Sequence, residues 1–392
     1  MALEQSFTAF FKPLRQYVQV STAQAAIICI ALMLGLSACS SSTKRIEPAP
    51  LAANVPLIGV KQVWAARMGE QLGSVAPTVV GNLLVMSSVD GTVATVDGAT
   101  GRDVWRASLG EALSTGAGSD GQKAAVVTRS NDVVVLEAAK TLWRTKLSAQ
   151  VFTTPLVAGG RVFVLAADRS VTAFDAATGR KLWTQQRPSE PLVLKQPGTL
   201  MAVGDTLVAG VSGRLVGLNP NNGSLRWEAP IASPRGTNDI ERLVDIVARN
   251  SRTGDVVCAR AFQSAVGCVN AARGTVLWTR PANSADGVHG DDTLIVGTES
   301  DGKVIAWRSA DGERAWANER LQHRELTSPL VLSRSIVLGD STGLVHFLSR
   351  EDGSPLTRLP TDSSGVSAGP VLAGETLVVV TRSGGVYGFA PE

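Results

Sequence analysis

Asp175-Ala176-Ala177-Thr178-Gly179-Arg180-Lys181-Leu182-Trp183 is one copy of a phrase that recurs through the chain. Further copies run Asp97 to Trp105 (DGATGRDVW), Asn219 to Trp227 (NPNNGSLRW), Asn270 to Trp278 (NAARGTVLW) and Arg308 to Trp316 (RSADGERAW). A shortened copy spans Glu137 to Trp143 (EAAKTLW), and a copy without Trp runs Arg350 to Leu356 (REDGSPL). In each, Asp or Asn can accept hydrogen bonds from the backbone just ahead of it, and Gly supplies the positive φ that closes a tight turn. Strand-period residues precede the turn (Val171-Thr172-Ala173-Phe174) and a second strand ending in Trp follows. Each copy is therefore the turn of a β-hairpin. Its Trp offers a flat ring suited to the seam between twisted sheets.

The period decides the fold. Trp64, Trp105, Trp143, Trp183, Trp227, Trp278 and Trp316 are spaced by 38 to 51 residues, and an eighth position without Trp falls near Leu356 to Leu359. Four short strands per unit make one blade, and radial repetition of blades protects sheet edges. The strand at Trp64 has no blade ahead of it, and the last hairpin, ending at Phe389, has no Trp strand behind it. The two ends complete one blade. The expectation is an all-β, eight-bladed β-propeller of four-stranded antiparallel blades over 57–392, closed by pairing of the N- and C-terminal segments. A seven-bladed or open ring is the alternative.

Composition agrees: 44% of the 392 residues are hydrophobic, 5% are aromatic and 39 are Gly. A net charge of +3, with Lys and Arg scattered among carboxylates, gives no footprint for nucleic acid. At the N-terminus, Lys12 and Arg15 precede an apolar run from Ala25 to Leu34 that has the plan of a secretory signal. Its ending, Leu36-Ser37-Ala38-Cys39, resembles the bacterial lipobox, in which Cys is acylated and becomes the first mature residue. A plain signal peptide with a chance Cys is the alternative. The resemblance implies a signal over 1–38 and a lipid on Cys39, and Ser40 in the following place implies sorting to the outer membrane. Residues 39–56 read as a flexible tether.

Export puts the body in an oxidising compartment, where Cys258 and Cys268 remain in one hairpin around Phe262 to Ala265. A two-residue turn would set Cys258 opposite Val269, one position off Cys268. A bulge would bring the sulfurs together, and a disulfide and two buried thiols both stay open. His289, His323 and His346 lack metal-ligand spacing and read as surface or loop residues.

Two units are oversized. Extra residues lie near Pro188 to Pro197 and within Pro230 to Asp245. Both follow an outer strand and precede the next inner strand, in neighbouring blades, so they should sit side by side on one face. Leu192 and Leu194 near Lys195 and Asp245 then make a small apolar patch with charged neighbours, the anatomy of a protein-binding site. A loop folded over its own blade is the plainer alternative.

The repeats resemble the quinoprotein-type motif Ala-x-Asp-x-x-Thr-Gly-x-x-x-Trp, best matched by Ala173 to Trp183, and with the lipobox the whole chain resembles the BamB family. That resemblance implies a non-enzymatic scaffold in the outer-membrane β-barrel assembly (BAM) complex, lipid-anchored on the periplasmic side. Its partners would be the POTRA domains of BamA and unfolded β-barrel precursors. It implies BamA contact at Leu192, Leu194 and Lys195, with Lys195 where the family has Arg, and at Arg242 and Asp245, with Val247 in the second acidic place. No cofactor or metal is expected beyond the lipid. A quinone-dependent dehydrogenase is the alternative that the turn motif alone leaves, but the adjacent cysteine pair of those enzymes is missing.

Overall fold

A computed structural model of the chain describes residues 46–187, 192–234, 237–238 and 242–392. Cys39 and the signal segment 1–38 lie outside the described residues. From Pro48 onward the chain is one compact unit. It consists of eight four-stranded antiparallel sheets, seven of them running in chain order from innermost to outer strand. Blades 1 to 7 begin at Thr78, Gly118, Leu156, Leu200, Ile246, Val288 and Leu330, and their outer strands end at Ser108, Lys146, Gln185, Pro230, Pro281, Asn318 and Pro360. Blade 8 takes three strands from Val371–Ala373, Thr376–Val380 and Gly385–Pro391, and its outer strand from Val60–Arg67. That strand pairs antiparallel with the C-terminal one, from Val60 opposite Pro391 to Arg67 opposite Gly385. The innermost strands of blades 8 and 1 also meet, so the ring closes as the phase of the repeat predicts.

Middle strands such as Arg161–Leu165 and Asp132–Glu137 are nearly continuous apolar runs because both of their faces are covered by neighbouring blades. The buried side chains accordingly gather at the seams. One cluster joins Val135 and Trp143 of blade 2 to Val162 and Phe174 of blade 3, and the seam between blades 8 and 1 is filled by Val378, Val386, Leu84 and Met86.

The recurring turn stitches six of the seams from outside. In blade 3, Asp175 Oδ1 accepts from the Thr178 N–H (2.9 Å) and hydroxyl (2.9 Å), while the Gly179 N–H donates to the Asp175 carbonyl. Gly179 has φ 71, and a Cβ placed there would sit 2.6 Å from the Trp143 ring of blade 2. The Trp143 indole N–H donates to the Ala176 carbonyl in that turn (2.9 Å). The same pair of contacts joins Trp64 to Gly101 and the Gly98 carbonyl, Trp183 to Gly223 and the Pro220 carbonyl, Trp278 to Gly312 and the Ser309 carbonyl, and Trp316 to Gly353 and the Arg350 carbonyl. Trp227 stacks on Gly274 without the hydrogen bond. Trp105 packs against the cluster that holds Val134 and Leu136 of blade 2, whose shortened turn has Ala138 and Ala139 in the left-handed region at φ 45 and 69. Blade 7 carries no Trp for a physical reason. The third and outer strands of blade 8 come from distant parts of the chain, so no hairpin turn of the recurring kind stands opposite blade 7 to receive a ring.

Three expectations change. Residues 49–56, expected within a flexible tether, lie with Leu57 along the outer edge of blade 7. There the Ala49 N–H donates to the Gln322 carbonyl, the Leu57 N–H to the Leu356 carbonyl, and Asn54 exchanges bonds with the Arg358 backbone. The Arg324 guanidinium holds the Ala49 carbonyl (2.9 Å) and the fully buried Asp340 (2.7 Å). Burial pushes the Asp340 pKa up, but hydrogen bonds from His346, Thr342 and the Leu344 N–H outweigh it and hold the carboxyl below its usual range.

The histidines are the second change. His346 is buried in a strand of blade 7 and bonded to Asp340, and His289 lies in the innermost strand of blade 6, where it accepts from the Val331 N–H. Burial, with Arg249 nearby, pushes the His289 pKa down to about 3, which keeps it a neutral acceptor. Only His323 stands in a loop. A short apolar strand with one His does not reveal from sequence that its ring will be roofed by another blade.

Third, the cysteine hairpin turns through Phe262, Gln263 and Ser264, with Ala261 opposite Ala265. Gln263 takes φ 47. That one additional residue shifts the register, so Cys258 faces Cys268 directly rather than Val269, and a disulfide joins them without a bulge.

Gly179→Ala should lower stability to urea by about 2–4 kcal/mol, from strain and displacement of the Trp143 ring. Gly160→Ala is the control: its φ is 68 but no atom lies within 4 Å of the added methyl, so the loss there should be only about 1 kcal/mol. Equal losses would show that the stacking contact contributes nothing. Cys258→Ser with Cys268→Ser should cost about 2–3 kcal/mol, the loop-closure value for a separation of 10 residues, measured against the oxidised protein.

Candidate interaction site

In an antiparallel blade, the turn between the second and third strands and the connection leaving the outer strand emerge on the same face. Both oversized connections are on that face, one following blade 3 and the other blade 4. Residues 188–191, 235–236 and 239–241 of these connections are outside the described residues.

The structure brings the two together. Gly198 bridges Val247, and the Ala248 N–H donates to the Pro197 carbonyl (3.0 Å), which aligns the end of the first connection with the start of blade 5. Closer to the tips, the Leu194 N–H donates to Asp245 Oδ2 (3.0 Å). The Asp245 backbone is held in turn, its carbonyl accepting from the Phe262 N–H (2.9 Å).

A residue not anticipated from sequence completes the arrangement. Arg169, in the turn between the second and third strands of blade 3, sends Nη2 to the Leu192 carbonyl (2.9 Å) and to Asp245 Oδ1 (3.0 Å). Its side chain is 6% exposed and that of Asp245 is 14% exposed, so the pair is largely shielded from water. A signal for it did exist. The position has φ 63, and the corresponding turns of four other blades place Gly91, Gly302, Gly343 and Gly384 there with φ between 85 and 96. A long side chain at a glycine position of a repeat marks a place where something other than the turn is being served.

Leu192 is 39% exposed, Lys195 is exposed, and Leu194 is half-buried over a small cleft lined by Phe152, Arg169, Asp245 and Val247. Arg242 is half-buried at the tip of the second connection, its N–H donating to the Asn238 carbonyl. Two sequence expectations are thereby refined. Both Asp245 oxygens are engaged within the chain, so this carboxylate organises the patch as much as it offers charge. Val247, at the second acidic place, is buried in the innermost strand of blade 5 and offers no charge. Leu192 and Lys195 form the outward surface, and Gln196 extends it toward the ring axis by donating to the Ala285 carbonyl of the connection into blade 6 (3.2 Å). Among the described residues, no group of three His, Cys, Asp or Glu is placed to hold a metal ion.

The profile of the family described as outer membrane protein assembly factor BamB matches residues 89–318. The chain is 40% identical over 373 residues to the outer membrane protein assembly factor BamB of Burkholderia pseudomallei, covering 94% of this chain and 98% of the relative. It is 34% identical to that of Bordetella pertussis, covering 90% of this chain and 93% of the relative. Among solved structures, the crystal structure of BamB from Moraxella catarrhalis superposes with a TM-score of 0.77 at 21% identity, over 84% of this chain and 99% of that one. The quinohemoprotein alcohol dehydrogenase of Comamonas testosteroni superposes at 0.66 with 13% identity, over 90% of this chain and 82% of that one, a likeness of fold alone.

Asp245→Ala should lower stability by about 3–5 kcal/mol in chemical denaturation, because the Arg169 guanidinium stays buried without its counter-charge. A loss under about 1 kcal/mol would mean that water replaces the carboxylate freely.

Proposed function

Because the chain belongs to the BamB family of outer membrane protein assembly factors, we propose that it is a non-enzymatic scaffold subunit of the β-barrel assembly machinery. It binds the POTRA domains of BamA through Leu192, Leu194 and Lys195, with Asp245 and Arg242 shaping the second half of the same surface. An acyl chain on Cys39 holds it to the periplasmic side of the outer membrane. Unfolded β-barrel precursors are its indirect clients, met through the complex.

The observation that carries this reading is the joining of two oversized connections from neighbouring blades, which leaves Leu192 and Lys195 outward beside a shielded ion pair. An exposed leucine against a half-buried one supplies the apolar centre of a small interface, and Lys195 supplies a rim charge. Lys presents a point charge where Arg would present a planar fork, so the contact it makes is less directional. Among the described residues of the arrangement, no nucleophile, base and stabilising group gather around one reacting atom, as catalysis needs.

Leu192→Ala with Leu194→Ala should weaken binding of a purified POTRA fragment of BamA at least tenfold in calorimetry, with the melting temperature within a few degrees of the parent. Leu194 keeps its backbone bond to Asp245 in that variant, so the surface is altered without being dismantled. Undiminished binding would remove the patch from the proposal. Cys39→Ser should move the protein from the membrane to the soluble periplasmic fraction, and unchanged fractionation would remove the anchor.

A further inference from the structure

We propose that Arg169 is the positioning residue of this surface, a clasp that sets the two connections in the one arrangement that presents Leu192. The proposal rests on the reading above for what the surface binds, but not for the clasp itself.

The geometry is specific. One guanidinium nitrogen reaches both connections at once, taking the Leu192 carbonyl of the first and the Asp245 carboxylate of the second. Asp245 returns a bond to the first connection at the Leu194 N–H (3.0 Å). Leu192 and Leu194 therefore have their backbone held on either side of Val193 by a single ion pair. Ordering loop backbone costs about 1–2 kcal/mol per residue, and among the described residues strand pairing between the two connections is confined to the Gly198–Val247 bridge. Without the clasp, the tip of the first connection would sample many conformations and pay for ordering on binding.

The side chain is held where its own turn does not need it. Arg169 takes φ 63 in a place where a glycine would be unstrained, and its Nη1 is buried with no hydrogen-bond partner among the described residues. A residue kept against both of these local preferences is explained by what it does for Leu192 and Asp245. Lysine would not serve equally, because a single ammonium lacks the planar fork that aims Nη2 between a carbonyl and a carboxylate.

The deciding variant is Arg169→Gly, since glycine suits the left-handed turn and removes the clasp. Its melting temperature should fall by several degrees, because Asp245 loses its counter-charge, with glycine's ease in the left-handed turn offsetting only part of the loss. Amide hydrogen exchange at Leu192, Val193 and Leu194 should quicken at least tenfold, while the strands of blade 3 keep their protection. Affinity for the POTRA fragment should fall at least tenfold, although Arg169 is too buried to form an interface of its own. In the double variant with Leu192→Ala the two losses should overlap rather than add, because one acts through the other. Arg169→Lys should fall between parent and glycine, and it serves the same comparison should the glycine variant fail to fold. Unchanged exchange at Leu192 to Leu194 would overturn the clasp. Quickened exchange with undiminished POTRA binding would overturn its positioning role. If the parent itself does not bind the POTRA fragment, the functional reading above fails, and the exchange result still decides whether the clasp exists.

Discussion

Six of the eight seams of this ring depend on an indole resting on the glycine of a neighbour's turn. The contact requires two things at one place: a φ that only glycine adopts without strain, and the absence of a side chain beneath the ring. Gly179 under Trp143 and Gly353 under Trp316 satisfy both. Where the chain supplies a carbonyl beside the glycine, the indole N–H is also satisfied, as at Ala176 and Arg350. The interaction joins a strand of one blade to a turn of the next, so it cannot form within any single blade. It is a device for assembling blades, and it explains why the turn and the Trp recur together.

Closure follows from the same constraint. The seam between blades 7 and 8 has no turn to receive a ring, and the molecule seals it with chain instead. Residues 49–57 run along the outer strand of blade 7, Ile58 and Val60 pack into the seam, and the chain then becomes the outer strand of blade 8. The buried group of Arg324, Asp340 and His346 holds the beginning of that run through the Ala49 carbonyl. The ends of the chain thus substitute for the one stitch the repeat cannot make.

The rigid ring permits an interaction surface built from loops. Connections leaving blades 3 and 4 are long enough to touch, and their spacing is set by the ring rather than by their own sequences. Asp245 and Leu194 are 51 positions apart and Arg169 and Leu192 are 23 apart, yet three polar contacts converge within one turn and two connections. The ion pair is shielded, which gives it geometric authority, and the apolar side chain it positions stays at the surface.

The number of blades, the role of the Trp residues, the joining of the chain ends and the adjacency of the two long connections were all legible in the sequence. Each follows from a short-range pattern repeated at a fixed period, and repetition turns local preference into global geometry. The facing of Cys258 and Cys268 was not legible, because a one-residue difference in turn length moves a strand register and Gln263 gives no sign that it will adopt a positive φ. The docking of residues 49–57, the hydrogen-bonded placing of His289, the burial of His346, and the partners that Arg169 finds were likewise decided by tertiary structure, although the break in the glycine pattern at Arg169 is visible in the chain. All of these depend on which distant residue lies opposite in space, and a side chain's partner across a seam or between two loops leaves no periodic trace in the chain that carries it.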